Sequence, residues 1–106
     1  MLLEKFNQIC TERKGLQRKI LALRREMGRN GADEKCESEL RQAEGELKVL
    51  NGRLRAQLAG IEAEELREVM ELGYLYDFSV TEMSKSLSVA RSTCYRRLRK
   101  AKECLQ

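Results

Sequence analysis

A seven-residue repeat in the first half of the chain limits the folds open to it more than any other feature does. Its members follow one another at alternating spacings of four and three, and all but one are apolar: Leu2, Phe6, Ile9, Arg13, Leu16, Ile20, Leu23 and Met27. The same spacing resumes with Cys36, Leu40, Ala43, Leu47, Leu50 and Leu54. This period keeps one apolar stripe on one side of a helix and is typical of coiled-coil packing. The sequence therefore predicts two long amphipathic helices.

A short segment that favours a turn separates the two stripes. Residues 28–31 contain two glycines and an asparagine, which tolerate the left-handed backbone angles that end a helix. Asp33 then has the right side chain to cap the next helix. Folding the chain here brings the stripes together as an antiparallel coiled-coil hairpin over residues 1–60. Arg13 falls near Leu50, where its stem is expected to pack while its guanidinium reaches water.

Glycines inside or at the end of these helices leave the stability of the hairpin open. They are Gly15, Gly45, Gly52 and Gly60. Each costs about 1 kcal/mol relative to alanine in a helix interior, so they mark either close helix contacts or a hairpin of moderate stability. A two-helix hairpin also buries little apolar surface by itself. We therefore expect a homodimer through the hairpin, as a four-helix bundle, with packing against the rest of the chain as the alternative.

The second half of the chain, residues 61–106, is acidic in its first part and basic in its second part. Residues 61–82 carry seven acids and one base, whereas residues 83–106 carry seven bases and one acid. A terminal basic segment of this kind suits the phosphate backbone of a nucleic acid. A third helix is predicted at roughly residues 62–76, ahead of the basic segment.

The C-terminal segment has the layout of a helix-turn-helix. Ser79 and Glu82 have the spacing of a capping box, which starts a short helix that runs to about Leu87. A turn at residues 88–89 follows, and a second helix occupies roughly residues 90–105. The inner face of that helix consists of Cys94, Leu98, Ala101 and Leu105. The fold class predicted for the whole chain is all-α.

Several short motifs in this segment carry a resemblance to a known family. They are Arg67-Glu68 with Leu72, Glu82-Met83-Ser84, Leu87-Ser88-Val89, Ser92-Thr93-Cys94 and Arg97-Leu98-x-x-Ala101. With them, roughly the last 40 residues resemble region four of bacterial sigma factors, which binds DNA. The segment is still more similar to the short sigma-like transcription regulators that phages and prophages encode. The resemblance implies a sigma-like helix-turn-helix domain over residues 61–106.

The resemblance also implies which residues of the last helix contact DNA. The base-reading positions are Arg91, Ser92, Tyr95 and Arg96. Thr93, Arg97 and Arg99 lie nearer the backbone phosphates, and Lys102 belongs to the same outer face. An arginine in the major groove can donate two hydrogen bonds to guanine O6 and N7. Arg97 has an alternative, since it can pair with an acid of the third helix such as Glu68 or Glu71.

Three positions in this segment depart from the family pattern. Ser88 stands where glycine is usual, so it is expected to adopt a positive φ or a variant turn. Ala90 stands where a serine or threonine usually caps the second helix, at a cost of about 1 kcal/mol. Cys94 replaces the usual valine or isoleucine.

The composition of the chain argues against several other classes of function. The chain has no histidine, and its four cysteines form no C-x-x-C pair, so no metal site and no cofactor are expected. It also lacks a glycine-rich phosphate loop, so we do not expect an enzyme. No apolar run is long enough to span a membrane, and the opening MLLEKFNQIC does not read as a secretory signal. A cytoplasmic location is expected.

The favoured hypothesis is a sequence-specific regulator of transcription, of phage or prophage type, that inserts residues 90–105 into the major groove of double-stranded DNA. The alternative is a protein-interaction adaptor that docks RNA polymerase or another protein through the hairpin and the sigma-like domain. A third hypothesis is a DNA-recognition subunit of a recombinase, transposase or packaging complex.

Overall fold

The computed structural model describes residues 2–31 and 33–106, and every regular element in them is a helix. The helices are α1 (Leu2–Asn30), α2 (Glu34–Leu58), α3 (Glu64–Tyr74), α4 (Val80–Leu87) and α5 (Arg91–Cys104). The all-α fold class is therefore confirmed. The third helix is shorter than the predicted span at both ends, because residues 59–63 connect it to α2 and the chain turns at residues 75–76, ahead of Asp77 with φ 57°.

The two long helices run antiparallel along each other, as two contacts between them show. Arg13 bonds to Asn51, and further along α1 the Arg24 guanidinium lies 3.3 Å from the Glu44 carboxylate. The Asp33 carboxylate accepts a hydrogen bond from the Cys36 backbone N–H at 2.7 Å, which begins α2 as its N-cap. The buried members of the two stripes are Phe6, Ile9, Arg13, Ile20, Leu23, Cys36, Ala43, Leu50 and Leu54.

The environment of Arg13 differs from the sequence expectation, which placed its guanidinium in water. Only 4% of the residue is exposed. Its Nε donates to Asn51 Oδ1 at 2.6 Å, and its terminal nitrogens donate to the carbonyl oxygens of Tyr74 and Leu75. The last carbonyls of a helix have no partner within it and carry partial negative charge, so they suit a cation. The expectation was wrong because the end of α3 docks over this position.

One apolar core joins the long helices to the C-terminal segment. Its buried members come from α1, α2, α3, α5, the connection after α2 and the residue that follows α5: Phe6, Ile9, Leu50, Leu54, Leu58, Ile61, Met70, Ala101 and Leu105. The Phe6 and Tyr74 rings also meet edge to face, with centroids 5.0 Å apart. Residues 59–63 connect α2 to α3, and the segments on either side of this connection share the core.

A second, smaller core lies among α3, α4 and α5. Val69, Met83 and Cys94 form its buried centre, one from each helix. Half-buried apolar residues surround them: Leu72, Phe78, Val80, Leu87, Val89 and Leu98. Cys94 is small, which lets α5 lie close to its two neighbours. This core fixes the orientation of α5 relative to α3 and α4.

The glycines inside the long helices do not mark close helix contacts within the chain. A Cβ added at Gly15, Gly45 or Gly52 would meet no heavy atom within 4 Å. The glycines therefore lower helix stability without allowing any tighter packing inside one copy of the chain.

We predict that Gly52→Ala raises the free energy of unfolding by about 1 kcal/mol, because alanine loses less backbone entropy in the helix. Urea unfolding followed by circular dichroism measures the change. Gly31→Ala is the matched control, since Gly31 has φ +78° and an L-residue there costs roughly 1–2 kcal/mol. The two variants should shift the midpoint in opposite directions. A Gly52→Ala midpoint at or below that of the wild type would contradict the prediction.

Candidate nucleic-acid interface

The short helix α4 is held at its beginning by reciprocal hydrogen bonds between Ser79 and Glu82. The Glu82 backbone N–H donates to Ser79 Oγ at 3.2 Å, and the Ser79 N–H donates to Glu82 Oε1 at 3.0 Å. The predicted capping box is therefore present. The hydrogen bond from the Ser79 backbone also lowers the pKa of the Glu82 carboxyl. A helix of only eight residues depends on such a cap, which fixes where α4 begins.

The turn from α4 to α5 is tight and is tied to α4 by Ser84. Ser88 has φ 55° and ψ 43°, the left-handed conformation expected where glycine is usual. The Val89 N–H donates to the Ser84 carbonyl, while Ser84 Oγ donates to the Val89 carbonyl at 2.6 Å. Val89 itself packs against the smaller core. These contacts set the angle at which α5 leaves the turn.

Helix α5 begins without a side-chain cap, as its sequence suggested. Ala90 has the extended backbone of an N-cap residue, with φ −67° and ψ 151°, but it carries no acceptor. The first backbone N–H groups of α5 therefore have no side-chain acceptor at this position. Free N–H groups and the positive end of the helix dipole together favour an anion such as phosphate.

We predict that Ala90→Ser stabilises the chain by about 1 kcal/mol, because a serine hydroxyl at this backbone geometry accepts from an N–H of the first turn. Thermal unfolding measures the gain. Ala90→Val is the control, since it adds bulk at the same exposed position but no acceptor. Equal midpoints for the two variants would show that the geometry at Ala90 does not support a cap.

Five of the eight predicted contact residues form an exposed face on α5. They are Arg91, Ser92, Tyr95, Arg96 and Arg99. Tyr95 is 62% exposed, so its ring lies outside the core. Within the part of the chain that the structure describes, none of the three arginines takes part in a salt bridge. Their charges are therefore available to an external partner.

The other three predicted residues are engaged with the rest of the chain. Thr93 is half-buried. Arg97 Nη2 lies 3.2 Å from Glu65 Oε2, so it pairs with an acid of α3, although not with the two acids that the sequence suggested. Lys102 Nζ lies 5.5 Å from the centre of the Tyr74 ring, a cation–π contact. These cations help hold α5 to its neighbours.

Lys100 belongs to the exposed face but was not among the predicted contact residues. It is exposed and follows Arg96 by one helical turn, the spacing that places two side chains on the same side of a helix. That spacing could have identified it. On the other side of the exposed face, a cleft of about 530 Å³ lies between α5 and the first turn of α1. Leu3 lines one wall of this cleft, and Tyr95, Arg99 and Lys102 line the other.

Comparisons of the chain with protein-family models, curated proteins and solved structures give no match. Among the described residues there is no group of three or more side chains placed to hold a metal ion. None of the described helices combines the length and the apolar character needed to cross a membrane.

Proposed function

We propose that this chain is a sequence-specific transcription regulator of phage or prophage type that binds double-stranded DNA. In this proposal α4, the turn and α5 act as a sigma-like helix-turn-helix, and α5 enters the major groove. The observation that carries the proposal is the exposed face of α5, where Arg91, Arg96 and Arg99 have no acidic partner in the described part of the chain.

The dimensions of α5 suit the major groove. At about 1.5 Å per residue its 14 residues extend roughly 21 Å. The major groove of B-form DNA is about 12 Å wide and admits one helix, whose N-terminal residues come nearest the base edges. Arg91 and Ser92 lie in the first turn of α5, and Tyr95 and Arg96 in the next. Arg99 and Lys100 follow, where they reach the phosphates along the groove.

The charge distribution supports this orientation. The exposed side of α5 is basic, whereas the exposed side chains of α3 include Glu64 and Glu68, and the connection before it carries Glu62. Arg97 and Glu65 neutralise each other between the two helices. Within residues 61–106, a polyanion is therefore attracted to the exposed side of α5 and repelled by that of α3.

We further propose that α1 and α2 form a coiled-coil hairpin that joins two copies of the chain in the cytoplasm. Two α5 helices related by a two-fold axis read two half-sites of opposite orientation, which is the usual reason that operators are palindromic. A dimer also doubles the number of phosphate contacts, so binding depends more steeply on salt.

Selection from a random duplex library, followed by fluorescence anisotropy on the enriched sequence, tests the proposed function. We expect enrichment of a defined site, and an affinity for it that falls linearly with the logarithm of salt concentration because phosphate contacts release counterions. Absence of duplex binding at low salt would contradict the proposal.

A second candidate function is an adaptor that docks RNA polymerase. The exposed acids of α3 and its connection, Glu62, Glu64 and Glu68, favour it, because an acidic helix surface suits a basic protein partner. Retention of RNA polymerase by the immobilised chain, with no binding to any duplex, would select this candidate. Charge reversal at Glu64 and Glu68 should then release the polymerase.

A further inference from the structure

A groove runs between α1 and α2 on one face of the long helices. Its volume is about 680 Å³. Leu16, Val49 and Leu50 supply its apolar floor, and Val49 remains 55% exposed. The groove continues toward the ends of the helices near Phe6 as a second cleft of about 380 Å³, which shares Glu12 and Arg53 with it. Nothing else in the described part of the chain covers this face.

The groove is open because two of its lining residues are glycines. Gly15 on α1 and Gly45 on α2 both border it, and a side chain at either position would meet open space. Each glycine costs about 1 kcal/mol of helix stability, without any closer packing within one copy. A helix from outside the chain can therefore approach the backbone closely here.

Four charged side chains form the rim of the groove, and their signs alternate around it. Glu12 and Lys19 lie on α1, whereas Glu46 and Arg53 lie on α2, and all four are exposed. The antiparallel register set by the Arg13–Asn51 bond places Glu12 across from Arg53 and Lys19 across from Glu46. None of the four takes part in a salt bridge in the described part of the chain. Each end of the groove thus carries one acid and one base, with the order reversed between the ends.

This pattern is complementary to itself. When two copies face each other across a two-fold axis, the axis lies in the plane of their contact. If the axis lies across the groove, Glu12 of one copy faces Lys19 of the other, and Arg53 faces Glu46. If the axis lies along the groove, Glu12 faces Arg53 and Lys19 faces Glu46. Both arrangements bring opposite charges together, and neither opposes like charges.

We propose that this groove is the surface through which two copies of the chain associate, with the apolar floors in contact and the rim charges paired between copies. The proposal identifies the contact for the dimer in the proposed function, and so rests on that dimer, but it needs no contact with DNA. Burying Leu16, Val49 and Leu50 against their counterparts supplies the apolar area that a single pair of helices lacks.

Sedimentation velocity without DNA tests the proposal with two charge variants. Glu12→Lys with Glu46→Lys makes the rim wholly basic, and Lys19→Glu with Arg53→Glu makes it wholly acidic. Each variant alone should associate about 100-fold more weakly than the wild type, because like charges then face each other. An equimolar mixture of the two should form a dimer again. Lys14→Glu with Arg18→Glu, at two exposed residues of α1 outside the groove, makes the same charge change as the acidic variant, and this control should dimerise as the wild type does.

Three results would overturn the assignment of this surface: a wild-type chain that sediments as a monomer at high concentration, rim variants that dimerise as well as the wild type, or a mixture that fails to associate. Circular dichroism of each variant confirms that the helices are retained. Since no duplex is present, failure here leaves the DNA-binding proposal standing. Likewise, if the chain fails to bind a duplex, the sedimentation result on the dimer remains valid.

Discussion

Replacing Arg96 with alanine is expected to lower the affinity of the chain for its selected duplex site by about 10- to 100-fold. A guanidinium that donates two hydrogen bonds to a guanine is worth about 1–3 kcal/mol of discrimination, and alanine removes both bonds. Arg96 is exposed on α5 and has no acidic partner in the described part of the chain, so its loss leaves the fold unchanged. Anisotropy titrations on the selected site and on an unrelated duplex measure the two affinities.

The loss should be larger on the selected site than on the unrelated duplex, because base contacts carry sequence information and phosphate contacts do not. Arg41→Ala is the matched control, since Arg41 is also exposed but lies on α2. Arg41→Ala should leave the affinity for the selected site within about two-fold of the wild-type value, because salt screens the electrostatic effect of a charge that is distant from the DNA. If Arg41→Ala weakens specific binding as much as Arg96→Ala does, the loss reflects total charge and α5 does not read bases.

Replacing Arg13 with alanine should lower the free energy of unfolding by about 3 kcal/mol. The change leaves Asn51 Oδ1 and the carbonyl oxygens of Tyr74 and Leu75 without their donor, in a site where the residue is 4% exposed. A buried acceptor that loses its partner costs about 1–3 kcal/mol. Urea unfolding monitored by circular dichroism measures the loss.

Arg24→Ala is the control for this second prediction. Arg24 lies on the same helix and also contacts α2 across the pair, but its side chain is 63% exposed. Exposed ion pairs contribute about 0–1 kcal/mol, so Arg24→Ala should unfold close to the wild type. If the two variants lose similar amounts of unfolding free energy, the hydrogen bonds of Arg13 contribute no more to stability than an exposed ion pair does.

The long helices were predictable because the signals that define them are local. An alternation of four and three specifies one helix face, and Asp33 or the Ser79–Glu82 pair caps a helix through residues only three apart. The left-handed Ser88 was one of the two outcomes expected, because the family pattern has glycine at that position, and the structure shows the positive φ and not a variant turn. Each of these features depends on a few neighbouring residues.

What the sequence did not predict depends on how distant segments dock. The stripe placed Arg13 at the helix contact, but only the arrival of the end of α3 makes it a buried donor to carbonyl groups. For Arg97, the sequence indicated an acidic partner on α3. Which acid of α3 pairs with it depends on how α3 is rotated about its own axis, and in the structure the partner is Glu65. The spacing of apolar residues predicts which face of a helix is buried. It does not predict which residues of a distant segment contact that face.

Methylation of guanine N7 in the selected duplex tests most directly whether α5 lies in the major groove. Dimethyl sulfate reaches N7 from that groove, and an arginine bonded to N7 blocks it. We predict that the wild-type chain protects at least one guanine in each half-site, and that Arg96→Ala restores methylation there while the flanking phosphates remain in contact. Full methylation of every guanine beneath the bound wild-type chain would contradict it.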